Sequence, residues 1–188
     1  MATTIIRPTS TTSQAGWASS NIHTIIGDND GATGVAQNNT TCNFTGVLAD
    51  LDSGLSGATI NSFTISLTGG AGRAGASTVA MSLVHSSDGA FATENESFTG
   101  SKSTQTTSAR TTQQDGSSAL TFAYINNCSV KIEPNNQGTT AYELYVTVDY
   151  TLGAAMGKTN GVTDSNIGKI NSIGNGDIAK INELTDTD

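Results

Sequence analysis

Residues 141–150, AYELYVTVDY, decide the fold. Apolar and polar side chains alternate along this stretch with a period of two. That period predicts an extended strand with one face in a core and the other in water, because successive side chains of a strand point to opposite sides. The face predicted to be buried carries Tyr142, Leu144, Val146, Val148 and Tyr150. This strand therefore predicts a β-protein.

Six further stretches predict strands. Four of them repeat the alternation, namely 58–67, 77–85, 119–125 and 128–133. Two shorter candidates are 21–26 and 42–48. Turn-forming residues cluster between them, as in GDNDGATG at 27–34 and PNNQG at 134–138. No window of eleven or more residues fits helical spacing. Residues 1–152 are therefore predicted to form an all-β, two-sheet antiparallel sandwich with jelly-roll topology.

The long polar stretch 86–118 is predicted to contain one or two edge strands with long loops. Only Phe91 and Phe98 are apolar enough to anchor it to the core. Further back, Gly70, Gly72 and Gly75 spell G-x-G-x-x-G, but the residues that follow alternate like a strand. A dinucleotide site needs a helix at that point, so the glycines are interpreted as a hairpin turn.

Residues 153–188 differ from the rest of the chain and predict an extended tail. Imperfect units align there at a period of eleven, with Lys158, Lys169 and Lys180 in register. Apolar residues accompany them in the second and third units, namely Ile170, Ile173 and Ile181. Glycine recurs too often for a stable helix, and such short units bury too little to fold alone. The tail is predicted either to pack on its own domain, on other copies or on another protein, or to be flexible and solvated.

The composition excludes several classes of function. Only 13% of the residues are charged, and the net charge is −8. Nucleic-acid binding needs clustered basic residues, whereas the chain has eight Lys and Arg in all. The first residues lack a basic stretch followed by an apolar run, which predicts cytoplasmic synthesis without a signal peptide, and no segment is apolar enough to cross a membrane.

No pattern predicts catalysis, a cofactor or a metal. Residues 153–159, GAAMGKT, have three residues between the glycines where a P-loop has four, so they are interpreted as a linker. His23 and His85 are predicted to lie in strands, without a second ligand at metal-binding spacing. The loop at Asp28 and Asp30 could help bind calcium, but such turns need no metal. Cys42 and Cys128 could pair, although a reducing cytoplasm favours two free thiols.

The order of motifs resembles that of virion proteins of tailed bacteriophages. In that pattern a Gly-Trp pair, here Gly16-Trp17, precedes an aspartate-rich turn, an FTG-like strand at 42–51 and the strand 58–69. The Lys-Ile-Asn units of the tail are similar to tails of marine phage structural proteins. The resemblance implies a β-sandwich on the particle surface, of the capsid decoration or cement type, with no catalytic residues.

Two main hypotheses follow for a protein located on the virion surface. In the first, the chain decorates and stabilises the capsid by binding the major capsid protein, another virion protein or further copies of itself, with the C-terminal repeats or the N-terminal arm as the anchor. In the second, it belongs to a tail fibre or baseplate and binds host-surface glycans, with Trp17 and Tyr145 as stacking platforms. The alternative role of Trp17 is a plug in a core or interface. A third possibility, a bacterial carbohydrate-binding or surface module, is disfavoured because no signal sequence is recognised.

Overall fold

The structure is a computed structural model and describes residues 1–71, 77–135 and 138–153. Most of the described chain is extended. The strands are β1 (Ala2–Ile6), β2 (Pro8–Ala15), β3 (Val35–Ala36), β4 (Asn43–Leu48), β5 (Thr59–Ala71), β6 (Ser77–His85), β7 (Gly89–Ala90), β8 (Glu94–Phe98), β9 (Ser103–Thr106), β10 (Cys128–Pro134) and β11 (Thr139–Thr151). Two five-residue helices, α1 (Ile22–Ile26) and α2 (Phe122–Asn126), and a 3₁₀ turn at Ser53–Leu55 complete the elements. In the part of the chain described, no helix is long and apolar enough to span a membrane.

The strands form two antiparallel sheets that face each other. Sheet 1 has the order β1-β11-β5-β9, with β3 also pairing with β11. Sheet 2 has the order β2-β4-β10-β6-β7, with β8 also pairing with β6. Without the short strands β3 and β7 and the added edge strand β2, eight strands remain, and they can be numbered 1 to 8 in chain order: β1, β4, β5, β6, β8, β9, β10 and β11. In this numbering sheet 1 has the order 1-8-3-6, and sheet 2 has the order 2-7-4-5. This is jelly-roll topology, and the predicted fold class is confirmed.

The core lies between the sheets, and β11 crosses it as predicted. Leu144, Val146 and Val148 are fully buried. The two tyrosines at the ends of the predicted apolar face are only partly buried, because the register of β11 with β5 shifts between Ala141 and Glu143 and again between Asp149 and Tyr150. At the first shift Ala141 takes the core position and Tyr142 turns outward.

The stretch 86–118 contains only short strands, and the two predicted anchors are both buried. Phe98 packs inside at the end of β8, and the ring of Phe91 meets that of Phe63 edge to face, 5.1 Å between centroids. The two anchors are confirmed, but the region contains three short strands, β7, β8 and β9, where one or two were predicted. The prediction of a hairpin at Gly70–Gly75 is wrong, since β5 lies in sheet 1 and β6 in sheet 2. Residues 72–76, which include Gly72 and Gly75, lie outside the described residues.

Two predicted strands are helices instead. Residues 21–26 contain α1, where Ile22 and Ile26 lie on one side of a single helical turn and are both buried. Residues 119–125 contain the start of α2, whose N-cap Thr121 accepts a hydrogen bond from the backbone N–H of Tyr124 at 3.1 Å. His23 consequently lies in a helix and not in a strand. In stretches this short, apolar residues fit both periods, and local capping decides between them.

The start of β1 and the finish of β11 lie at the same end of the sandwich. Ala2 pairs with Tyr150, and Thr59 pairs with Thr151, so β1 begins where β11 finishes. We call this the exit end, because the described chain reaches Gly153 there. A strand of thirteen residues such as β11 is about 40 Å long, which places Thr139 at the opposite end.

Candidate functional site

Trp17 is a structural plug and not an exposed platform. Its side chain is 9% exposed, and its indole N–H donates to the backbone carbonyl of Asn43 at 2.9 Å. The backbone of Trp17 also pairs with that of Gln37. Because the ring is covered, the hypothesis that Trp17 stacks on a glycan is corrected to the alternative of a plug.

The remaining predicted partner-binding residues belong to the tail. Lys158, Lys169, Ile170, Ile173, Lys180 and Ile181 all lie outside the described residues, as does most of the predicted tail 153–188. Their roles stay predictions. The described chain forms one compact unit, Met1–Gly153.

The outer face of sheet 1 carries a strip of paired hydroxyl groups. Across β5 and β9 the side-chain oxygens of Ser66 and Thr106 lie 2.8 Å apart, and those of Thr68 and Thr104 also lie 2.8 Å apart. Ser66 and Thr68 are only 3% and 8% exposed, although they point away from the core. We call these four residues the hydroxyl strip.

Strand register places an aromatic ring and a carboxylate beside the hydroxyl strip. Tyr145 of β11 is opposite Ser66, and Glu143 is opposite Thr68. Each row therefore runs across three strands, from β11 through β5 to the edge strand β9. Residues opposite each other in a sheet share a face, so the phenol ring and the carboxylate border the strip.

Arg7 is the link between β1 and β2, and it connects the two β11 residues. Its guanidinium donates to Glu143 Oε1 at 2.8 Å and lies over the ring of Tyr145, 5.4 Å from the centroid. It also donates to the side-chain oxygen of Asn29. The side chains of Arg7 and Glu143 are 21% and 17% exposed, so this ion pair is largely shielded and its charges compensate each other.

Lys102 and Tyr142 close the same face toward the loop 27–34. The ammonium of Lys102 lies 4.6 Å from the centroid of the Tyr142 ring and donates to the carbonyl of Gly31. A Cβ at Gly34 would come within 2.6 Å of the same ring, so Tyr142 is packed closely against the loop. Tyr142 therefore has a packing role, and Tyr145 is the aromatic residue beside the hydroxyl strip.

The aspartate-rich loop is explained by its own hydrogen bonds. The carboxylate of Asp30 accepts from the backbone N–H of Ala32 at 2.7 Å and of Thr33 at 3.3 Å. These bonds lower the pKa of Asp30. Asp28 accepts in turn from the backbone N–H of Asp30 at 3.2 Å. Among the described residues no group of three metal-ligating side chains is found. The hydrogen bonds of Asp28 and Asp30 make the loop an Asx-type turn.

Both thiols are buried and free. Cys42 and Cys128 form no disulfide, and burial raises the pKa of each to about 12. At neutral pH they are uncharged and behave as small apolar side chains. The ring of His85 stacks on Tyr124 with centroids 3.9 Å apart, next to Cys128 on the neighbouring strand.

The exit end carries an uncharged groove. It has a volume of about 450 Å³ and is lined by two segments, Ser56–Thr59 and Leu120–Ala123, without a charged side chain. Leu152, which directly follows β11 of sheet 1, is 59% exposed at this end. The exposed part of the groove is formed largely by hydroxyl-bearing and small side chains, among them Ser56, Thr59 and Thr121, whereas Leu120 is buried.

The sequence analysis names Tyr145, which borders the hydroxyl strip, as a candidate binding residue, but it names none of the four residues of the strip itself. A signal exists in the sequence, since hydroxyl side chains recur at every second position of β5, at Ser62, Thr64, Ser66 and Thr68. The same composition occurs throughout the chain, however. Only the pairing with β9, some forty residues further on, distinguishes these hydroxyl groups from the others.

Comparisons with known proteins give one structural likeness. No family model matches the chain, and no curated protein matches it. A similar solved structure is the C-terminal CBM6 of LamC, a marine laminarinase from Zobellia galactanivorans, at 10% sequence identity and a TM-score of 0.44. The match covers 78% of this chain and 98% of that one. These comparisons assign no family to the chain.

Proposed function

We propose that this chain is a non-enzymatic structural protein of a tailed-phage virion that decorates and stabilises the capsid by binding shell subunits. The observation that carries the proposal is the arrangement of the exit end. There β1 begins, β11 finishes, and the chain continues into residues 154–188. A body that is connected through one end can be held on a particle while its other faces stay in solvent.

The surface chemistry of the exit end supports this role. The groove between Ser56–Thr59 and Leu120–Ala123 is uncharged, and Leu152 is exposed beside the point where β11 ends. Interface centres are depleted in charge and enriched in apolar contacts relative to the remaining surface. The tail units supply further apolar and basic residues at regular intervals, which suits repeated contacts with a lattice of identical subunits.

Decoration does not require strong individual contacts. A standard interface buries about 1,600 Å², and many copies on one shell act together even when each affinity is modest. The net charge of −8 keeps free copies soluble before assembly. The body needs only to be stable and to present one contact surface.

Two measurements test the proposal. Quantitative mass spectrometry of purified virions is expected to give hundreds of copies per particle, whereas a handful of copies would contradict decoration. Deleting residues 157–188 is expected to leave a folded body that no longer binds particles. A variant with residues 157–188 in scrambled order keeps length and charge and serves as the control. Equal occupancy of intact, deleted and scrambled forms would exclude the tail as anchor.

A second candidate function is a tail-fibre or baseplate appendage that binds host-surface glycans. Tyr145 beside the hydroxyl strip favours it, because an aromatic ring next to polar groups suits a sugar. The copy number separates the two candidates, since a fibre or baseplate contains few copies. Immunogold labelling of virions would locate the protein on the head or on the tail.

A further inference from the structure

We infer that the outer face of sheet 1 is a binding site for an uncharged glycan chain, which lies on the hydroxyl strip with Tyr145 as its stacking residue. This inference deepens the second candidate function, because it names the site and the class of ligand. It does not depend on where the protein sits in a particle.

The hydroxyl strip has hydrogen-bonding capacity to offer. In each pair, one hydroxyl donates to the other, so that one O–H and several lone pairs of the pair remain unused. Thr104 and Thr106 are exposed, and they present these groups to solvent on the edge strand. Neighbouring rows are about 7 Å apart along the strands, since two residues separate them. The result is a regular array of uncharged donors and acceptors, matched to a ligand that is itself rich in hydroxyl groups.

Tyr145 adds the apolar part of the site. Sugar rings have a face of C–H groups that stacks on aromatic rings, and tyrosine combines such a ring with a polar tip. Arg7 lies over the Tyr145 ring and is fixed by its 2.8 Å bond to Glu143. The ring therefore has a defined orientation before a ligand arrives, which reduces the entropy cost of binding.

The charge distribution selects an uncharged ligand. The four residues of the strip carry no charge, and the charges of Arg7 and Glu143 compensate each other. Lys102, further along the same face, is engaged by the Tyr142 ring and the carbonyl of Gly31. Lys102 keeps its positive charge, because a ring and a carbonyl do not neutralise an ammonium. An acidic glycan would nevertheless be repelled by a protein of net charge −8, whereas a neutral chain would not.

Because the site is an open face and not a deep cleft, single-site binding should be weak. We expect a Kd on the order of 1 mM for a short chain, which two or more copies binding one glycan surface together would strengthen through avidity. The test uses the full-length protein labelled with ¹⁵N. Cellohexaose and maltohexaose serve as neutral probes of different linkage, and hexagalacturonate serves as an acidic probe of equal length.

At least one neutral probe is expected to shift the amide resonances of residues 66–68, 104–106 and 143–147, and to bind at least tenfold more tightly than hexagalacturonate. Tyr145→Ala should weaken binding at least tenfold. Thr106→Val, which keeps the side-chain shape at an exposed position, should weaken it about threefold. The matched control is Thr9→Val on β2 of sheet 2, also exposed, which should bind like the unaltered protein.

Absence of shifts with both neutral probes at 10-fold excess over the expected ~1 mM Kd would overturn the inference. Unchanged affinity in both Tyr145→Ala and Thr106→Val, or tighter binding of the acidic probe, would do the same. Measuring how well the Thr106→Val variant binds virions distinguishes a failure of the glycan site from a failure of the proposed capsid role. A variant that occupies virions normally but has lost glycan binding leaves decoration intact, whereas failure of decoration leaves the titration unaffected.

Discussion

At the scale of single residues, the indole of Trp17 closes one corner of the sandwich. The ring is covered, and its N–H is bonded to the carbonyl of Asn43. The preceding Gly16 has a positive φ of 75°, and a Cβ there would lie 2.3 Å from the carbonyl oxygen of Thr41. The Gly-Trp pair is therefore required by the chain path, since only glycine fits so close to the neighbouring backbone.

We predict that Trp17→Ala lowers the free energy of unfolding by about 3–5 kcal/mol, because it leaves a cavity in place of a large buried ring. Trp17→Phe keeps most of the packing, so the lost hydrogen bond should cost only about 1 kcal/mol. Urea denaturation followed by circular dichroism measures both. Leu152→Ala, at an exposed position, is the control and should change stability by less than about 0.5 kcal/mol. A Trp17→Ala protein with an unchanged midpoint would show that the ring is not packed.

At the scale of elements, the turn at Asp115–Ser118 illustrates how one side chain holds a loop. The carboxylate of Asp115 accepts from the hydroxyl of Ser118 and from the backbone N–H groups of Ser117 and Ser118, both at 2.9 Å. Gly116 supplies the positive φ of 75° that the turn requires. These bonds, led by that of the Ser118 hydroxyl, lower the pKa of Asp115 to about 2.

The turn should consequently loosen in acid. A carboxyl group whose pKa is lowered by folding stabilises the folded form above its ordinary pKa of 3.8, and this contribution is lost as the pH falls toward about 2. We expect an NMR titration of the Asp115 side chain to have its midpoint near that value, with the Ser117 and Ser118 amides shifting together. Ser118→Ala should move the midpoint toward 3.8. A midpoint already at 3.8 in the unaltered protein would contradict the turn geometry.

Elements also show how much the sequence can predict. Strands β5, β6, β10 and β11 were predictable because their apolar side chains recur at every second position. The five-residue helices were not, since Ile22 and Ile26 could occupy one face of either a short strand or a helical turn. Strands β1 and β2 were missed because the N-terminal stretch is dominated by threonine and serine, and only Ile6 and Pro8 are buried there.

The hydroxyl strip lies beyond sequence analysis for a different reason. A periodic run of hydroxyl residues in β5 is visible, but which strand pairs with it depends on the jelly-roll topology. Ser66 meets Thr106 at a separation of forty residues and Tyr145 at a separation of nearly eighty. Contacts at such distances follow from the packing of the whole sandwich, which the core residues determine together.

At the scale of the whole molecule, the jelly roll brings the two ends of the body together. β1 and β11 are neighbours in sheet 1, and Ala2 is the partner of Tyr150. Partner residues of antiparallel strands lie about 5 Å apart. The first strand therefore completes the edge of a sheet whose centre is formed by the last one, and the body cannot close until both are present.

This arrangement predicts that residues 1–153 tolerate circular permutation. Joining Gly153 to Met1 through about five Gly and Ser residues spans the gap, since the ends are adjacent in one sheet. New ends between Gly100 and Ser101 should be accepted because both residues are exposed, and a Cβ at Gly100 would meet no atom within 4 Å. We expect this permutant to keep the native amide spectrum and a Tm within about 10 °C of the linear body. New ends between Val146 and Thr147 would cut β11 where it crosses the core and should abolish folding. A folded protein from that second opening would mean that sheet 1 does not require an uninterrupted β11.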